Sequence, residues 1–316
     1  MAHNDRVQLR TGLEISQMGL GTATFGGLYT SMSQDQCDAS INCALDNGIT
    51  YIDTAPHYGK GVAERRLGKS LKGKERSHFE ISTKIGRLLI PTEKEIDPDF
   101  KDTDTTLTRI FDFSEGGVEK SFRSSLERME LEKIDILIIH DPDDNADLAI
   151  RESFPALLKM REKGIINAIG VGMNQSATPA RLIMEADIDV VLIAGRYSLL
   201  DRGALADLLP AALERGVDII AAGVLNSGIL ANPVKGATFD YVPASDEMLA
   251  KVQRIKVVLD KESIPLAAAA LQFPLRHPAV KCVLIGCRST DEILNNAKNL
   301  DMELPEDIWQ KIEAVL

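Results

Sequence analysis

The stretch "TYIDTAPHYGKGVAERRLG", residues 50–68, begins as a buried strand and then breaks its own pattern. Tyr51 and Ile52 suit a strand covered on both faces, yet Asp53 follows them directly and Tyr58 comes five residues later. A carboxylate at the end of a buried strand is costly unless something there pairs with it. The strand therefore points to a rim where charge is wanted, and other strands should end the same way.

Reading outward, short apolar runs recur at 18–23 ("MGLGTA"), 49–53 ("ITYID"), 79–84 ("FEISTK"), 134–140 ("IDILIIH"), 167–172 ("NAIGVG"), 190–195 ("VVLIAG"), 217–223 ("VDIIAAG") and 280–286 ("VKCVLIG"). Between them lie amphipathic segments with helical spacing: Ile41 and Leu45 stopped by Gly48, then 117–129, 153–163, 179–186, 204–215, 246–261 and 290–299. Eight such strands alternating with eight helices predict an α/β fold, a closed (β/α)8 TIM barrel, formed as one domain over 1–316. "VQLRTGLEIS" alternates around Thr11 and Gly12, which predicts a hairpin plugging the barrel floor, and "PEDIWQKIEAVL" reads as an extra C-terminal helix on the outside. From Arg87 to Ser114 the chain is polar and interrupted by Pro91 and Pro98. Coming after the third strand, 87–114 should be an inserted loop over the catalytic face, a lid or specificity loop.

The composition, 44% apolar and 26% charged, is that of a globular protein. The polar start "MAHNDRVQLR" lacks the apolar core of a signal peptide, and no run reaches the roughly 20 apolar residues a bilayer needs. The expectation is a cytoplasmic protein without membrane contact, monomer or small homo-oligomer. A formal charge of −11 without clustered Lys and Arg argues against nucleic acid as a partner. Cys37, Cys43, Cys282 and Cys287 are scattered and read as small buried hydrophobes, so no metal site is expected.

In such a barrel the working face is the C-terminal end of the strands. Asp53 ends the second, Lys84 the third and His140 the fourth, with Tyr58 on the loop just beyond Asp53. This set suits proton transfer through tyrosine. A phenol titrates near ~10 in isolation, and a neighbouring ammonium lowers that value, so Lys84 is expected to bring Tyr58 down. Asp53 would hold the ammonium in place, and His140 would hydrogen-bond the substrate oxygen. Beside these, His57 reads as a packing or rim residue, Phe25 as a lining residue of the substrate pocket, and Tyr197 either reaches the cofactor or fills the rim.

"GITYIDTAPHYGKGVAERRLG", "STK" and "IDILIIH" resemble the motifs of the aldo-keto reductase superfamily, over a span from Gly19 to about Asn296. The resemblance implies a catalytic tetrad of Asp53, Tyr58, Lys84 and His140, with substrate at Phe25, Tyr58 and His140, and hydride exchange with a nicotinamide cofactor bound without a Rossmann fold. "IFDFSEGGVEKSFRSSLERMELEKIDILIIHDPDD", "AIGVGMNQ" and "AGRYSLLDRGAL" are similar to the branch of D-threo-aldose (L-fucose) 1-dehydrogenases, with pyridoxal 4-dehydrogenases close by. That implies oxidation of a cyclic hemiacetal to a lactone, with NADPH-dependent reduction of a small aldehyde or ketone as the rival on the same site. A cofactor-binding regulatory subunit is the rival of another class.

The cofactor contacts implied are Gly21, Thr22, Asp53, Asn174, Tyr197, Gly286, Arg288, Glu292 and Asn296. Two positions depart from the family pattern: Gly172-Met173 replaces the usual Ser-Asn pair, leaving Asn174 one place on, and Ala222 stands where an aromatic often stacks on nicotinamide. Around the last helix Arg288 is the one cation beside Asp291 and Glu292. Two carboxylates would repel a 2′-phosphate, which favours NAD over NADP.

Overall fold

Eight parallel strands, Met18–Gly21, Tyr51–Asp53, Glu80–Ile85, Ile136–His140, Ala168–Met173, Val190–Ala194, Asp218–Ala222 and Val280–Gly286, close into a barrel whose ring order is the chain order. The computed structural model describes residues 2–240 and 242–316. Inside the ring, Tyr51, Ile136, Ile138, Val190, Leu192, Ile220 and Leu284 form a core separate from the larger one between strands and helices. Leu9 and Ile15, from an antiparallel hairpin pairing Arg6–Gln8 with Glu14–Ser16, join the inner core and close the floor. Gly12 supplies the left-handed residue of that turn, at φ 86°.

Strand period two fixes what stands at the mouth. Tyr51 points inward, so Asp53 does as well; Ile136 and Ile138 point inward, so His140 does as well. Asp53 pairs in register with Ser82, which brings Lys84 in one level higher on the neighbouring strand. The three ionisable groups thus belong to the upper layer of a barrel whose lower layers are apolar.

The helices Gln34–Asp46, Val62–Leu71, Glu115–Met129, Phe154–Glu162, Ala177–Glu185, Leu208–Arg215 and Thr290–Asp301 form the outer ring, several of them opened by serine caps such as Ser33, Ser114 and Ser289. Between the seventh and eighth strands there are two helices rather than the one expected over 246–261. Asp246–Asp260 packs against the C-terminal helix Asp307–Glu313, while Leu266–Gln272 packs against Thr290–Asp301. The second was hidden because "LAAAALQ" is buried almost all round and carries no polar face to reveal a period.

The segment 87–114, expected as an inserted lid or specificity loop, contains regular structure of its own. Arg87–Pro91 and Leu107–Phe111 pair as an antiparallel ribbon, with Arg87 opposite Phe111. Its strands pair only with each other and are half-buried at most, so they carry no strong apolar pattern. The excursion is fastened to the loops after the first and second strands and to the helix Val62–Leu71. Lys60 Nζ, wholly buried, binds the Glu95 carbonyl at 3.2 Å and its carboxylate at 3.0 Å. Arg66 pairs with Asp102 at 2.8 Å and Arg65 with Asp104 at 3.1 Å. Backbone bonds run from Lys101 N–H to Gly27 O and from Asp104 N–H to Gly59 O.

Gly68 lets the helices Val62–Leu71 and Glu115–Met129 touch, since a Cβ there would lie 2.2 Å from the Met129 carbonyl oxygen. Gly68→Ala is expected to destabilise by about 1–3 kcal/mol through overpacking against rigid backbone, read as a lower urea midpoint at unchanged slope. An unchanged midpoint would mean that the two helices separate freely.

Candidate active site

Asp53 and Lys84 meet at the barrel mouth with both side chains only 2% exposed. Lys84 Nζ donates to Asp53 Oδ2 at 2.6 Å and to the Thr54 carbonyl at 2.9 Å. Asp53 Oδ1 accepts from Ser82 Oγ at 2.7 Å, and Ser82 in turn bonds the Tyr51 hydroxyl at 2.8 Å. The buried pair is thereby hydrogen-bonded down into the barrel, which offsets part of its desolvation. Glu64 supports the same strand from outside: fully buried, it accepts from Thr83 Oγ1 at 2.8 Å and pairs with Arg128 at 2.6 Å.

Tyr58 sits above this pair, with Lys84 Nζ 4.8 Å from its ring centre. Its ring centre is 6.3 Å from that of His140 and 5.9 Å from that of Phe100. The structure therefore brings Asp53, Tyr58, Lys84 and His140 together. Burial alone would push Lys84 down, but Asp53 and Tyr58 hold its ammonium above the usual lysine value. The phenol differs from the expectation. Burial pushes Tyr58 above its ordinary value; Lys84 pulls it down, and the charge of Asp53 adds to the rise. At rest Tyr58 is a phenol rather than a phenolate.

Burial, with Arg87 and Lys84 beside it, holds His140 well below the ordinary histidine value. It is a neutral imidazole at neutral pH, and its Nδ1 has no partner among the described residues. His57 is likewise depressed to about 3, by burial first and then by Arg87 and Arg109. Its ring centre lies 5.6 Å from that of His140 and 5.5 Å from that of Phe100.

Several neighbours of the mouth were not singled out by sequence reading. Arg87 NH2 donates to Asp141 Oδ2 at 2.5 Å, Arg87 NH1 to His57 Nδ1 at 3.2 Å, and Arg109 to the His57 carbonyl at 3.0 Å. Phe25 is wholly buried in the outer core, because the short 3-10 turn Ala23–Gly26 directs it inward, and the aromatic ring set against Tyr58 is Phe100. The signal for Arg87 and Asp141 was adjacency: each lies within three residues of a rim residue, Lys84 or His140. Phe100 had no such signal.

The opposite side of the mouth is built of small residues. The sixth strand runs into Ala194 and Gly195, the seventh into Ala222 and Gly223, and the eighth ends at Gly286. Beyond the seventh strand Asn226 is buried at φ 46°, its Oδ1 without a partner among the described residues. A shelf of small residues with an orphaned carboxamide fits a flat dinucleotide. Gly21 opens this side next to Gly286 in register, and Thr22 Oγ1 is engaged with the Asp53 carbonyl at 3.0 Å. Asn174 is exposed, its carbonyl accepting from Arg196 at 2.6 Å. Arg288 is tied to Glu292, side chain to side chain at 3.0 Å and through its N–H at 2.9 Å, and Asn296 lies against Cys287 Sγ at 3.5 Å. Tyr197 lies apart from the tetrad, its ring against Phe273 and His277 in the outer layer. Among the described residues no group of three or more His, Cys, Asp or Glu is placed to hold a metal, and no helix is long and apolar enough to cross a membrane.

The depressed histidine sets an acid limit on stability. Between pH 6.5 and about 3 the unfolded chain protonates His57 while the folded one does not, so stability is full above pH 6.5 and falls below it. The expected share is about 2 kcal/mol lost by pH 5. Urea midpoints against pH should fall less steeply in His57→Gln; identical slopes would show that His57 titrates normally.

Residues 17–316 match the sequence model of the aldo/keto reductase family. The chain is 39% identical over 321 residues to a D-threo-aldose 1-dehydrogenase from a Pseudomonas species, covering 99% of this chain and 97% of that protein. It is also 39% identical, over 335 residues, to a pyridoxal 4-dehydrogenase from Microbacterium luteolum, with the same coverage of each. In fold it is similar to the solved holo form of an aldo-keto reductase from Bacillus halodurans, at a TM-score of 0.80 and 22% identity over 99% of this chain and 96% of that one. With a match that spans nearly the whole sequence, on a closed barrel, the chain belongs to the aldo/keto reductase family.

Proposed function

We propose that the protein oxidises the anomeric carbon of a free aldose, of the L-fucose or D-threo type, to a lactone with NAD as oxidant. The observation that carries this reading is the buried Lys84 ammonium, held by Asp53 at 2.6 Å on one side and facing the Tyr58 ring at 4.8 Å on the other. A lysine so fixed serves a tyrosine that must change its charge. The 39% identity to a protein named for aldose 1-dehydrogenation supports the substrate class.

A bound nicotinamide would supply the hydride acceptor and, when oxidised, one further positive charge near Tyr58. Gly21, Thr22, Asn174, Gly286, Arg288, Glu292 and Asn296 are the residues proposed to hold it, with Asn226 added by its orphaned Oδ1. Tyr58 takes the proton of the anomeric hydroxyl as that carbon gives up its hydrogen with the bonding electrons and becomes the lactone carbonyl. Lys84 stabilises the phenolate that results, and Asp53 keeps Lys84 charged and in position. Because Tyr58 rests as a phenol, this direction depends on every positive charge in the mouth, and activity should rise with pH. Neutral His140 holds the reacting oxygen without adding charge. In the direction of reduction the same site would deliver hydride and proton to a carbonyl, such as that of an aldehyde, with Tyr58 as proton donor.

The choice of NAD is supported by Arg288, whose guanidinium Glu292 already occupies at 3.0 Å. A 2′-phosphate carries a charge of about −1.5 to −2 and would meet Glu292 and Asp291 before it met a free cation. A second reading, pyridoxal as substrate, stands on the other relative at 39% identity.

The deciding experiment follows reduced nicotinamide by absorbance, with NAD or NADP offered against L-fucose, other aldoses and pyridoxal. Aldose-dependent reduction of NAD is expected; consumption of NADPH by simple aldehydes, with aldoses silent, would replace this reading by the reductase one. Tyr58→Phe should lower kcat by about 10²-fold or more while cofactor binding, read by fluorescence titration, is retained. Unaltered turnover would remove Tyr58 from the chemistry. Glu292→Gln should free Arg288 and shift the ratio of kcat/KM toward NADP by about tenfold, and an unmoved ratio would place the discrimination elsewhere.

A further inference from the structure

Arg87 and Asp141 form an ion pair at the mouth that the chemistry above does not use. Arg87 leaves the third strand just past Gly86, as the first residue of the ribbon. Asp141 directly follows His140 and is held at φ 45°, a left-handed conformation uncommon for a residue with a side chain, by its N–H on the Gly172 carbonyl at 3.0 Å. That turn aims its carboxylate back across the rim. The two side chains are 16% and 24% exposed, 2.5 Å apart, and His140 Nε2 lies 3.5 Å from the same Asp141 oxygen.

A pair so placed is poor as a stabiliser, since the desolvation of both charges consumes most of their attraction. It is rich, however, in unused hydrogen-bonding capacity. The guanidinium has five N–H groups, of which one binds Asp141 and one binds His57 Nδ1 at 3.2 Å. Its Nε is buried without a partner, and Asp141 Oδ1 accepts no hydrogen bond among the described residues. Because Arg87 can only donate, the contact makes His57 Nδ1 an acceptor and, in a neutral ring, leaves the proton on Nε2 as a further donor. The guanidinium and the His57 ring offer donors and the Asp141 carboxylate an acceptor, with His57 next to Tyr58 in the chain and Asp141 next to His140. Phe100 against His57 and Tyr58, and Phe111 under the guanidinium at 5.3 Å, add apolar faces. Donors, acceptors and flat apolar surface side by side suit a ring bearing hydroxyls, whereas a simple aldehyde would leave them unused.

We propose that Arg87 and Asp141, with His57 oriented by Arg87, are the specificity-determining residues of the site and read the non-reacting hydroxyls of a cyclic sugar. This rests on the aldose reading given above. The alternative is that the pair merely tethers the ribbon to the rim.

The test pairs enzyme variants with substrate variants. Wild type, Arg87→Met, Arg87→Lys and the isosteric Asp141→Asn are assayed with NAD against the aldose wild type oxidises best and against its 2-, 3- and 4-deoxy analogues. Wild type should lose about tenfold or more in kcat/KM on at least one deoxygenation. Arg87→Met should raise KM for the parent sugar by a similar factor, change kcat less, and be indifferent to that one deoxygenation. Arg87→Lys should recover part of the loss, having the charge without the fork. Equal losses by the variants on the parent and every analogue would overturn the proposal in favour of a tether, as would variants that keep wild-type selectivity. Should Arg87→Met fail to fold, as seen by circular dichroism, Asp141→Asn reads the same cycle alone. A wild-type enzyme silent toward all aldoses would overturn the underlying reading instead, before any variant is compared.

Discussion

A lysine and an aspartate shut away from water, 2.6 Å apart, are the constraint on which the mouth of this barrel depends. Two charges moved out of water each cost several kcal/mol, and only close geometry with further hydrogen bonds makes that tolerable. Ser82 and the Thr54 carbonyl supply those bonds, Tyr51 extends them downward, and Glu64 steadies the strand from behind. Removing any one would leave an unpaired group in a dry place, so the second and third strands are fixed in register by their chemistry as much as by their packing.

The rest of the mouth divides around that pair. Strands two to four carry ionisable groups at or next to their ends; strands six to eight end in alanine and glycine. One half can move a proton, and the other leaves room for a flat molecule to lie against it. The barrel floor is closed by Leu9 and Ile15, so everything that enters the site comes in through this one mouth. Burial first, with Arg87, Lys84 and Arg109 beside it, keeps both histidines uncharged, and Lys84 opposes the rise that burial imposes on Tyr58. A fixed ammonium beside a phenol suits a reaction in which negative charge develops on oxygen.

Much of this was legible in the sequence, because it follows from period and position. The eight runs, the hairpin, and the placing of Asp53, Lys84 and His140 at neighbouring strand ends all rest on local pattern, and Tyr58 is near enough in sequence to be joined to them. What was not legible depended on long-range packing. Leu266–Gln272 has no polar face, so its helix left no period. The ribbon pairs with itself, and Phe100 reaches Tyr58 because Lys60, Arg65 and Arg66, on the loop and helix after the second strand, fasten 95–104 there. Phe25 was placed at the pocket by its neighbours in sequence, whereas a single 3-10 turn reverses it into the core. The resting state of Tyr58 also escaped, since it is a balance between Lys84, Asp53 and burial that residue types alone do not settle.

The ribbon leaves and rejoins the barrel at nearly one point: the Asp112 N–H bonds the Gly86 carbonyl at 3.0 Å, and Arg87 stands opposite Phe111. A segment closed at its neck transmits little of its own length or sequence to the strands beneath, and lengthening such a loop costs only about 0.6 kcal/mol per doubling. The far end of the ribbon, around 91–94 and 105–107, can therefore change while the strands beneath stay in place, whereas Arg87, Phe100 and Arg109 reach the mouth and carry any change into it. Relatives built on the same barrel can diverge in what they accept by recutting this one wall, and the sequence of the neck-to-neck segment is where such divergence should be sought first.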